Sequence, residues 1–155
     1  MAYDPRLVAN ALLRKARERG ENLTHLKLQK LLFFVQAWGL ALHDNKVMSV
    51  FPEAWDYGPV FPPIYHELKG YGSRPIIGYL QEPFTEKALV PGLADTQFYE
   101  LVEKVWERYG SLSAGQLSSL SHVTGGPWDN ARKDGTRNIP LAEITQFYRN
   151  QLHAA

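Results

Sequence analysis

The sequence predicts a mostly α-helical fold: a compact single-domain helical bundle around a central hydrophobic helix, with one small antiparallel β-hairpin. Three observations support this prediction. Residues 24–42 are apolar on almost every side of a helix, which is typical of a helix in the middle of a fold. Other segments carry apolar stripes at helical spacing, and residues 46–57 are rich in strand-forming side chains. A chain of 155 residues is expected to form one domain, here 1–155.

The first two helices have clear start and stop signals. Asp4 followed by Pro5 is a strong N-terminus, and this helix is expected to run to about Arg19. Thr24 is expected to cap the second helix, which the polar residues 43–45 end. Only the first turns of the second helix carry polar side chains. This end is therefore expected to reach the surface.

The middle of the chain changes character. Residues 46–57 predict two short strands in a hairpin, and residues 58–59, a glycine and a proline, are expected to break the second strand. Two prolines at 62–63 predict a short helix that ends near Leu68. Residues 73–92 contain three prolines and are expected to be irregular.

Helical patterns return in the last third of the chain. A clean apolar stripe predicts a helix over about 95–109. Ser113 and Gln116 form a capping box at the start of a short helix. Residues 128–132 predict one further helical turn, and Pro140 opens the last helix.

Composition excludes several classes of protein. The chain has no cysteine, which removes disulfides, thiolate nucleophiles and cysteine-ligated zinc. Its 17 basic and 16 acidic side chains nearly balance, so no overall basic field attracts nucleic acid. The longest apolar run is shorter than the roughly 20 residues of a membrane span, and no secretory leader is evident. We therefore expect a cytoplasmic protein without membrane contact.

The histidines offer one candidate for catalysis. Ser118 lies four residues before His122, so the two side chains share a helical face and could form an activated nucleophile. No GxSxG elbow or HExxH motif supports such chemistry. The simpler interpretation is a structural hydrogen bond for His122. We therefore predict no catalytic residues, no metal ligands, no cofactor and no enzyme activity, with a small hydrolase or nucleic-acid-processing enzyme using His122 as the alternative.

A second alternative is nucleic-acid binding through the first two helices. These helices carry a cluster of basic side chains: Arg14, Lys15, Arg17, Arg19, Lys27 and Lys30. Glu18 and Glu21 dilute this cluster, and a charged helix face is usually only a solvated face. Binding of nucleic acid is accordingly disfavoured.

The four tryptophans are expected to lie in the core: Trp38, Trp55, Trp106 and Trp128. A buried indole usually finds a partner for its N–H group. His122 or the carbonyl groups around Gly58 are the expected partners of Trp55 or Trp128.

Four separated motifs form an ordered set along the chain. They are Leu28-Gln29-Lys30-Leu31-Leu32, Ala54-Trp55-Asp56-Tyr57-Gly58-Pro59-Val60, the segment from Leu117 to His122, and Pro127-Trp128. In combination this set resembles the SocA-like antitoxin family, also called the Panacea domain and formerly a phage-associated domain of unknown function. The resemblance covers about residues 24–148. Two departures are Phe33-Phe34, where the family often has tyrosines, and Gly125-Gly126, which lengthens the approach to Pro127-Trp128.

The resemblance implies an antitoxin of a toxin–antitoxin system. Such a protein would bind and neutralise a co-encoded toxin directly, by steric block or by holding the toxin in a misfolded or degradable form. A cellular protease or chaperone is then a possible further partner. The nucleic-acid-binding alternative would then be a phage-associated regulator that uses the first two helices.

The predicted partner-binding surface follows by elimination from the expected core. The polar start of the second helix, the hairpin and the short helix after it carry the side chains expected to be exposed. They are Lys27, Lys30, Asp56, Tyr57, Tyr65, His66 and Lys69, although Tyr57 could equally be internal. Aromatic anchors with a polar rim are typical of a protein interface.

Overall fold

Helix α2, His25–His43, runs through the centre of the fold. The structure is a computed structural model that describes residues 2–81 and 89–154. Nearly every side chain of α2 is buried, as the all-round apolar pattern predicts. The Thr24 hydroxyl caps its first turn, and Asp44 ends it in a left-handed conformation.

Six further helices are present in the described ranges. They are α1 (Pro5–Glu18), α3 (Pro62–Leu68), α4 (Thr96–Tyr109), α5 (Ala114–Ser121), α6 (Pro127–Asp134) and α7 (Leu141–Ala154). Helices α1, α4, α5 and α7 all pack on α2, and a 3₁₀ turn at Lys69–Tyr71 follows α3. The predicted fold class, a mostly helical bundle with one small antiparallel hairpin, is confirmed.

The hairpin lies later in the chain than the sequence pattern predicts. Strand β1, Glu53–Trp55, pairs antiparallel with β2, Gly58–Val60. The prediction that Gly58 and Pro59 break the second strand is therefore wrong. Pro59 is paired with Ala54, next to the pair of Trp55 and Gly58 that closes the turn. At this position the Pro59 nitrogen points away from β1. No ladder hydrogen bond is lost there, so the strand tolerates proline.

The residues before β1 contact α2 instead of forming a strand of the hairpin. The Gln36 side-chain oxygen accepts hydrogen bonds from the N–H groups of Val47 and Met48, at 2.8 and 3.0 Å. Met48 also forms an isolated bridge with Tyr3. Residues 46–52, which were expected to form a strand, thus make single contacts with α2 and with Tyr3.

Aromatic side chains join the far half of α2 to α4 and α7. Phe34 stacks on Tyr109 with ring centroids 4.1 Å apart, and Tyr148 approaches Phe34 edge-on. The Trp38 indole donates a hydrogen bond to the Tyr109 hydroxyl at 2.7 Å. Burial raises the pKa of Tyr109. This cluster explains why α2, α4 and α7 form one packed unit.

The remaining elements follow the predicted boundaries closely. The capping box of Ser113 and Gln116 is present at the start of α5. The predicted irregular segment 73–92 is irregular over 73–81 and 89–92, while 82–88 lie outside the described residues. Among the helices described, none is long and apolar enough to cross a membrane.

Candidate functional site

The hairpin motif at residues 54–60 is clamped between three helices. From α2, the Gln29 side chain bonds both backbone groups of Phe61, accepting from its N–H at 2.8 Å and donating to its carbonyl at 3.2 Å. Gln29 is almost completely buried. A buried amide that satisfies two backbone groups fixes the position of the chain directly after β2.

Helix α6 holds the other side of the hairpin. The Trp128 indole donates to the carbonyl of Trp55 at 2.7 Å. Arg132 donates to the carbonyl of Ala54 at 3.2 Å and to the Asp56 carboxylate at 2.5 Å. Two partners were expected for Trp55 or Trp128, His122 and the carbonyls around Gly58. Trp128 bonds a carbonyl three residues before Gly58, whereas Trp55 bonds Glu53 and neither indole bonds His122. These bonds leave the hairpin little freedom to move relative to α6.

Lys30 is completely buried beneath the hairpin, so the prediction that it is exposed is wrong. Its ammonium donates a single long hydrogen bond, 3.4 Å, to the carbonyl of Pro59. No carboxylate lies within ion-pair distance of it among the described residues. Burial lowers the pKa of Lys30 to about 8. The hairpin covers this end of α2, which a helical pattern alone does not reveal.

Gly58 lies directly against the Lys30 ammonium. A Cβ atom at position 58 would be 2.6 Å from Lys30 Nζ and 3.1 Å from His122 Nε2. Gly58 also has a φ of +113°, a conformation that side-chain-bearing residues rarely adopt. Glycine is required here for both reasons.

Lys27 is also buried, and its predicted exposure is wrong as well. Its ammonium donates to the Glu21 carboxylate and, at 2.6 Å, to the carbonyl of Gly110. The same group lies 5.8 Å from the centre of the Trp106 ring. Lys27 therefore links the start of α2 to the end of α4 and is not available as a surface contact.

His122 does not make the structural hydrogen bond that the sequence interpretation assigned to it. Its Nε2 atom is buried without a hydrogen-bond partner in the described part of the chain. The imidazole instead packs on Trp128, with ring centroids 4.0 Å apart. Burial, and secondly the charge of Lys30, lower the pKa of His122. The ring is therefore held neutral beside a buried cation.

Ser118 and His122 do not hydrogen-bond to each other. The Ser118 hydroxyl donates to the carbonyl of Tyr57 at 3.2 Å, which ties α5 to the hairpin turn. This contact gives Ser118 a positioning role, and the geometry lacks the serine–histidine bond that an activated nucleophile requires.

The expected core position of the tryptophans holds for two of the four. Trp38 and Trp106 are buried, whereas Trp55 and Trp128 are only half-buried. The Trp55 indole bonds Glu53 at 2.9 Å, and its ring packs on Tyr65 with centroids 4.7 Å apart. Both half-buried residues contact the hairpin and remain partly exposed.

The remaining predicted site residues lie on the hairpin, on α3 and at the start of the 3₁₀ turn that follows α3. We call this surface the hairpin face: Trp55, Asp56, Tyr57, Tyr65, His66 and Lys69. Asp56, Tyr57, His66 and Lys69 are exposed, whereas Tyr65 is half-buried between Trp55 and His25. Tyr57 is 76% exposed at the tip of the turn. A groove of about 530 Å³ beside Trp55 and Asp56 extends this surface towards Arg132 and Arg137.

The sequence profile of the family described as "Antitoxin SocA-like, Panacea domain" matches residues 28–129. The chain belongs to this family. Its sequence is 36% identical over 147 residues to the protein named "Antitoxin SocA" of Caulobacter vibrioides (strain NA1000 / CB15N), covering 90% of this chain and 76% of that protein. No solved structure matches this chain.

The structure explains why the Panacea motifs occur together. The motif in α2 supplies Gln29 and Lys30, the α5 motif supplies Ser118 and His122, and Pro127-Trp128 supplies the indole that bonds the hairpin. All of them surround residues 54–60. Sequence reasoning missed this arrangement, although a signal was present: Gln29, Lys30 and Gln36 are polar residues inside an otherwise apolar helix. Such residues indicate buried hydrogen-bond partners.

The buried His25 and the half-buried His122 predict a loss of stability in acid. Burial is the first cause, and the Lys30 charge the second, of the lowered pKa of both His25 and His122. The unfolded chain binds protons near pH 6.5 that the folded chain binds only at lower pH, so stability falls as pH drops below 6.5. His122→Phe removes one such group and the orphaned Nε2 atom. We expect it to raise the free energy of unfolding by about 1 kcal/mol at pH 7.5, and by more at pH 5.

Urea unfolding at the two pH values measures this effect. An exposed histidine, His66→Phe, is the matched control and should change neither value. If the gain in free energy of unfolding of His122→Phe is no larger at pH 5 than at pH 7.5, the lowered pKa of His122 is contradicted. Because we predict no catalytic role for His122, we expect folded His122→Phe to neutralise a toxin as well as wild type does.

Proposed function

We propose that this Panacea protein neutralises a co-encoded toxin by direct, stoichiometric protein–protein binding, with the hairpin face as the contact surface. The observation that carries the proposal is Tyr57. Its ring is exposed at the tip of a turn whose neighbours Asp56 and Gly58 are held in place by Arg132 and by the packing against Lys30. Tyrosine is one of the residues most enriched at binding hot spots.

The rigidity of the turn supports a binding role. An interface loop that must be ordered on binding loses affinity, whereas a pre-ordered loop does not. Here α2, α5 and α6 each bond a backbone group within or beside the hairpin. The side chain of Tyr57 is the one large group of the motif that projects into solvent. The fold thus presents a rigid aromatic anchor.

The surroundings of Tyr57 have the composition of an interface. Trp55 and Tyr65 form an aromatic pair behind it, and His66 and Lys69 supply a polar rim. The groove beside Trp55 offers space for a side chain of a partner. Lys27 and Lys30, which are buried, have no place in this surface and act by supporting it.

We expect Tyr57→Ala to weaken toxin binding by about 2 kcal/mol, or about thirtyfold, because it removes the exposed anchor. Stability should change by less than about 0.5 kcal/mol, since the side chain makes few contacts within the fold. The measurement is co-expression with the toxin encoded next to this gene, scored by growth rescue and by pull-down. Leu93→Ala is the matched control because Leu93 is 73% exposed and lies outside the hairpin face.

Three results are informative. Rescue and pull-down lost in Tyr57→Ala but kept in Leu93→Ala support the proposed surface. Full rescue by both variants rules out the hairpin face, and no rescue by wild type rules out the antitoxin role for that toxin. The half-life of the toxin in the same cells separates steric block from delivery to a protease or chaperone, because only delivery shortens it.

A further inference from the structure

A second surface, away from the hairpin tip, has the features of a docking site. Helices α4 and α7 both pack on α2 but make almost no contact with each other among the described residues. The strip of α2 between them forms the floor of an apolar groove. Its two adjoining cavities measure about 430 and 250 Å³ and share Trp38, Arg108 and Tyr109. We call it the aromatic groove.

The rim of the aromatic groove is unusually apolar for a solvent-exposed surface. Leu42 and Leu152 border the larger cavity, and Leu120 and Val123 border the smaller one. Each of these four side chains is more than one-third exposed. Contiguous exposed apolar side chains are rare on monomeric surfaces and mark sites of interaction.

The charges on the groove indicate the chemistry of its occupant. Arg108 stands over the rings of Trp38 and Tyr109, 5.3 and 5.6 Å from their centres, and has no acidic partner among the described residues. Lys104 and Glu107 are the other charged groups that line the cavities. The groove therefore carries a net positive charge, centred on an arginine that can bind a carboxylate in a fork geometry.

The shape of the groove favours a helix. The two adjoining cavities follow α2 between α4 and α7, over the buried Trp38 to the exposed Leu42, so the groove is elongated along a helix axis. An amphipathic helix buries its apolar side chains in such a groove with anchors three and four residues apart. The smaller cavity is bordered by Leu120 of α5, the helix whose Ser118 bonds the hairpin turn at Tyr57. The aromatic groove is thus connected to the hairpin face through one element.

From these observations we infer that the aromatic groove docks an amphipathic helix of the co-encoded toxin, with an acidic side chain of that helix paired to Arg108. This inference rests on the proposed function and extends it to a second surface and to a partner of stated chemistry. The apolar rim takes the hydrophobic face of the helix, and Arg108 sets its orientation.

Site-specific photocrosslinking in cells that co-express the toxin tests the inference. A benzophenone amino acid replaces Leu152 or Leu42 on the rim, Tyr57 at the hairpin tip, or Leu26. Leu26 is the matched control because it lies on α2 and is 42% exposed, close to the 39% of Leu42, but does not border the groove. We expect a chain–toxin product from positions 152 and 42, mapped by mass spectrometry to a helix of the toxin, and none from position 26.

Other products would overturn the inference in distinguishable ways. A toxin product from position 57 alone leaves the proposed function standing and removes the groove from it. A product with a second copy of this chain from positions 42 and 152 replaces the toxin as occupant. Absence of any toxin product, together with absence of growth rescue, removes the proposed function and the inference together.

The acidic contact has its own measurement. Arg108→Glu should weaken toxin binding at least about tenfold by titration calorimetry, because it replaces an attraction with a repulsion. Lys46→Glu is the matched charge reversal, since Lys46 is exposed and lies outside the aromatic groove. Reversing the crosslinked acidic residue of the toxin to arginine should restore affinity to Arg108→Glu. Equal affinities for both variants of this chain would overturn the role of Arg108.

Discussion

Gly58→Ala should destabilise the protein by about 3 kcal/mol or more. Two effects add at this position. The φ of +113° is strained for alanine, which by itself costs about 1–3 kcal/mol. The new methyl group would also lie 2.6 Å from the ammonium of Lys30, so this completely buried side chain would have to shift to make room. Since single domains are stable by only about 5–15 kcal/mol, this loss is a large fraction of the total, and the variant should unfold at a clearly lower temperature and urea concentration than wild type.

Gly20→Ala separates the two effects. Gly20 also has a positive φ, +76°, but a Cβ atom there would meet nothing within 4 Å. We expect it to cost only about 1–2 kcal/mol, the ordinary penalty for a left-handed residue. The comparison is made by thermal and urea unfolding. Equal losses for Gly20→Ala and Gly58→Ala would contradict the close packing of Gly58 on Lys30.

Lys30→Met should stabilise the protein at neutral pH by about 3 kcal/mol. Burial lowers the pKa of Lys30 from 10.5 to about 8, and each pKa unit corresponds to about 1.4 kcal/mol. Because the folded state holds the proton less tightly than the unfolded state does, the charged amine disfavours folding fully below pH 8. This penalty disappears as pH rises from 8 towards 10.5. Methionine has a similar shape and no charge, so it carries no such penalty at any pH.

The test is how the difference in free energy of unfolding between wild type and Lys30→Met changes with pH. The raised pKa values of Tyr3 and Tyr148 lower the stability of both proteins above pH 10 and cancel in the comparison. Wild type should approach the stability of Lys30→Met between pH 7 and pH 9.5 in urea unfolding. Lys46→Met, at an exposed position, should show no pH-dependent gain. A constant difference between wild type and Lys30→Met across this range would contradict an uncompensated buried ammonium.

The helices of this fold are largely predictable because their signals are local. Caps such as Asp4, Thr24 and Ser113 satisfy the first turn of their own helix, and the apolar stripes record which side faces the core. The hairpin position is less predictable. Whether Pro59 breaks a strand depends on the pairing register, which is a property of two strands together.

The supporting residues of the candidate site are still harder to predict. Lysines on the first turns of a helix are usually solvated, but here the hairpin covers Lys30 and the end of α4 covers Lys27. The hairpin and the end of α4 are both distant in sequence from the lysines that they cover. Tyr57, by contrast, was predicted as a surface residue and is exposed, because a turn tip remains outside whichever elements pack below it.

The buried polar groups at the site give the Panacea motifs a physical meaning. Within residues 2–81 and 89–154, Lys30 has no carboxylate beside its buried ammonium and His122 Nε2 has no hydrogen-bond partner, and both features lower stability. They lie under the segment that presents Tyr57, and the positions around them are the motifs of the family. Buried polar groups that lower stability are expected at functional sites, where the geometry of a surface matters more than local stability.

Hydrogen–deuterium exchange of the chain, alone and mixed with the toxin that we propose as its partner, tests most directly whether the hairpin face binds that toxin. Binding through Tyr57 predicts slower exchange for the peptide that contains residues 55–58, with no change for the peptide around Leu93. A stable complex in which the peptide 55–58 exchanges as fast as in the free chain would contradict toxin binding at the hairpin face.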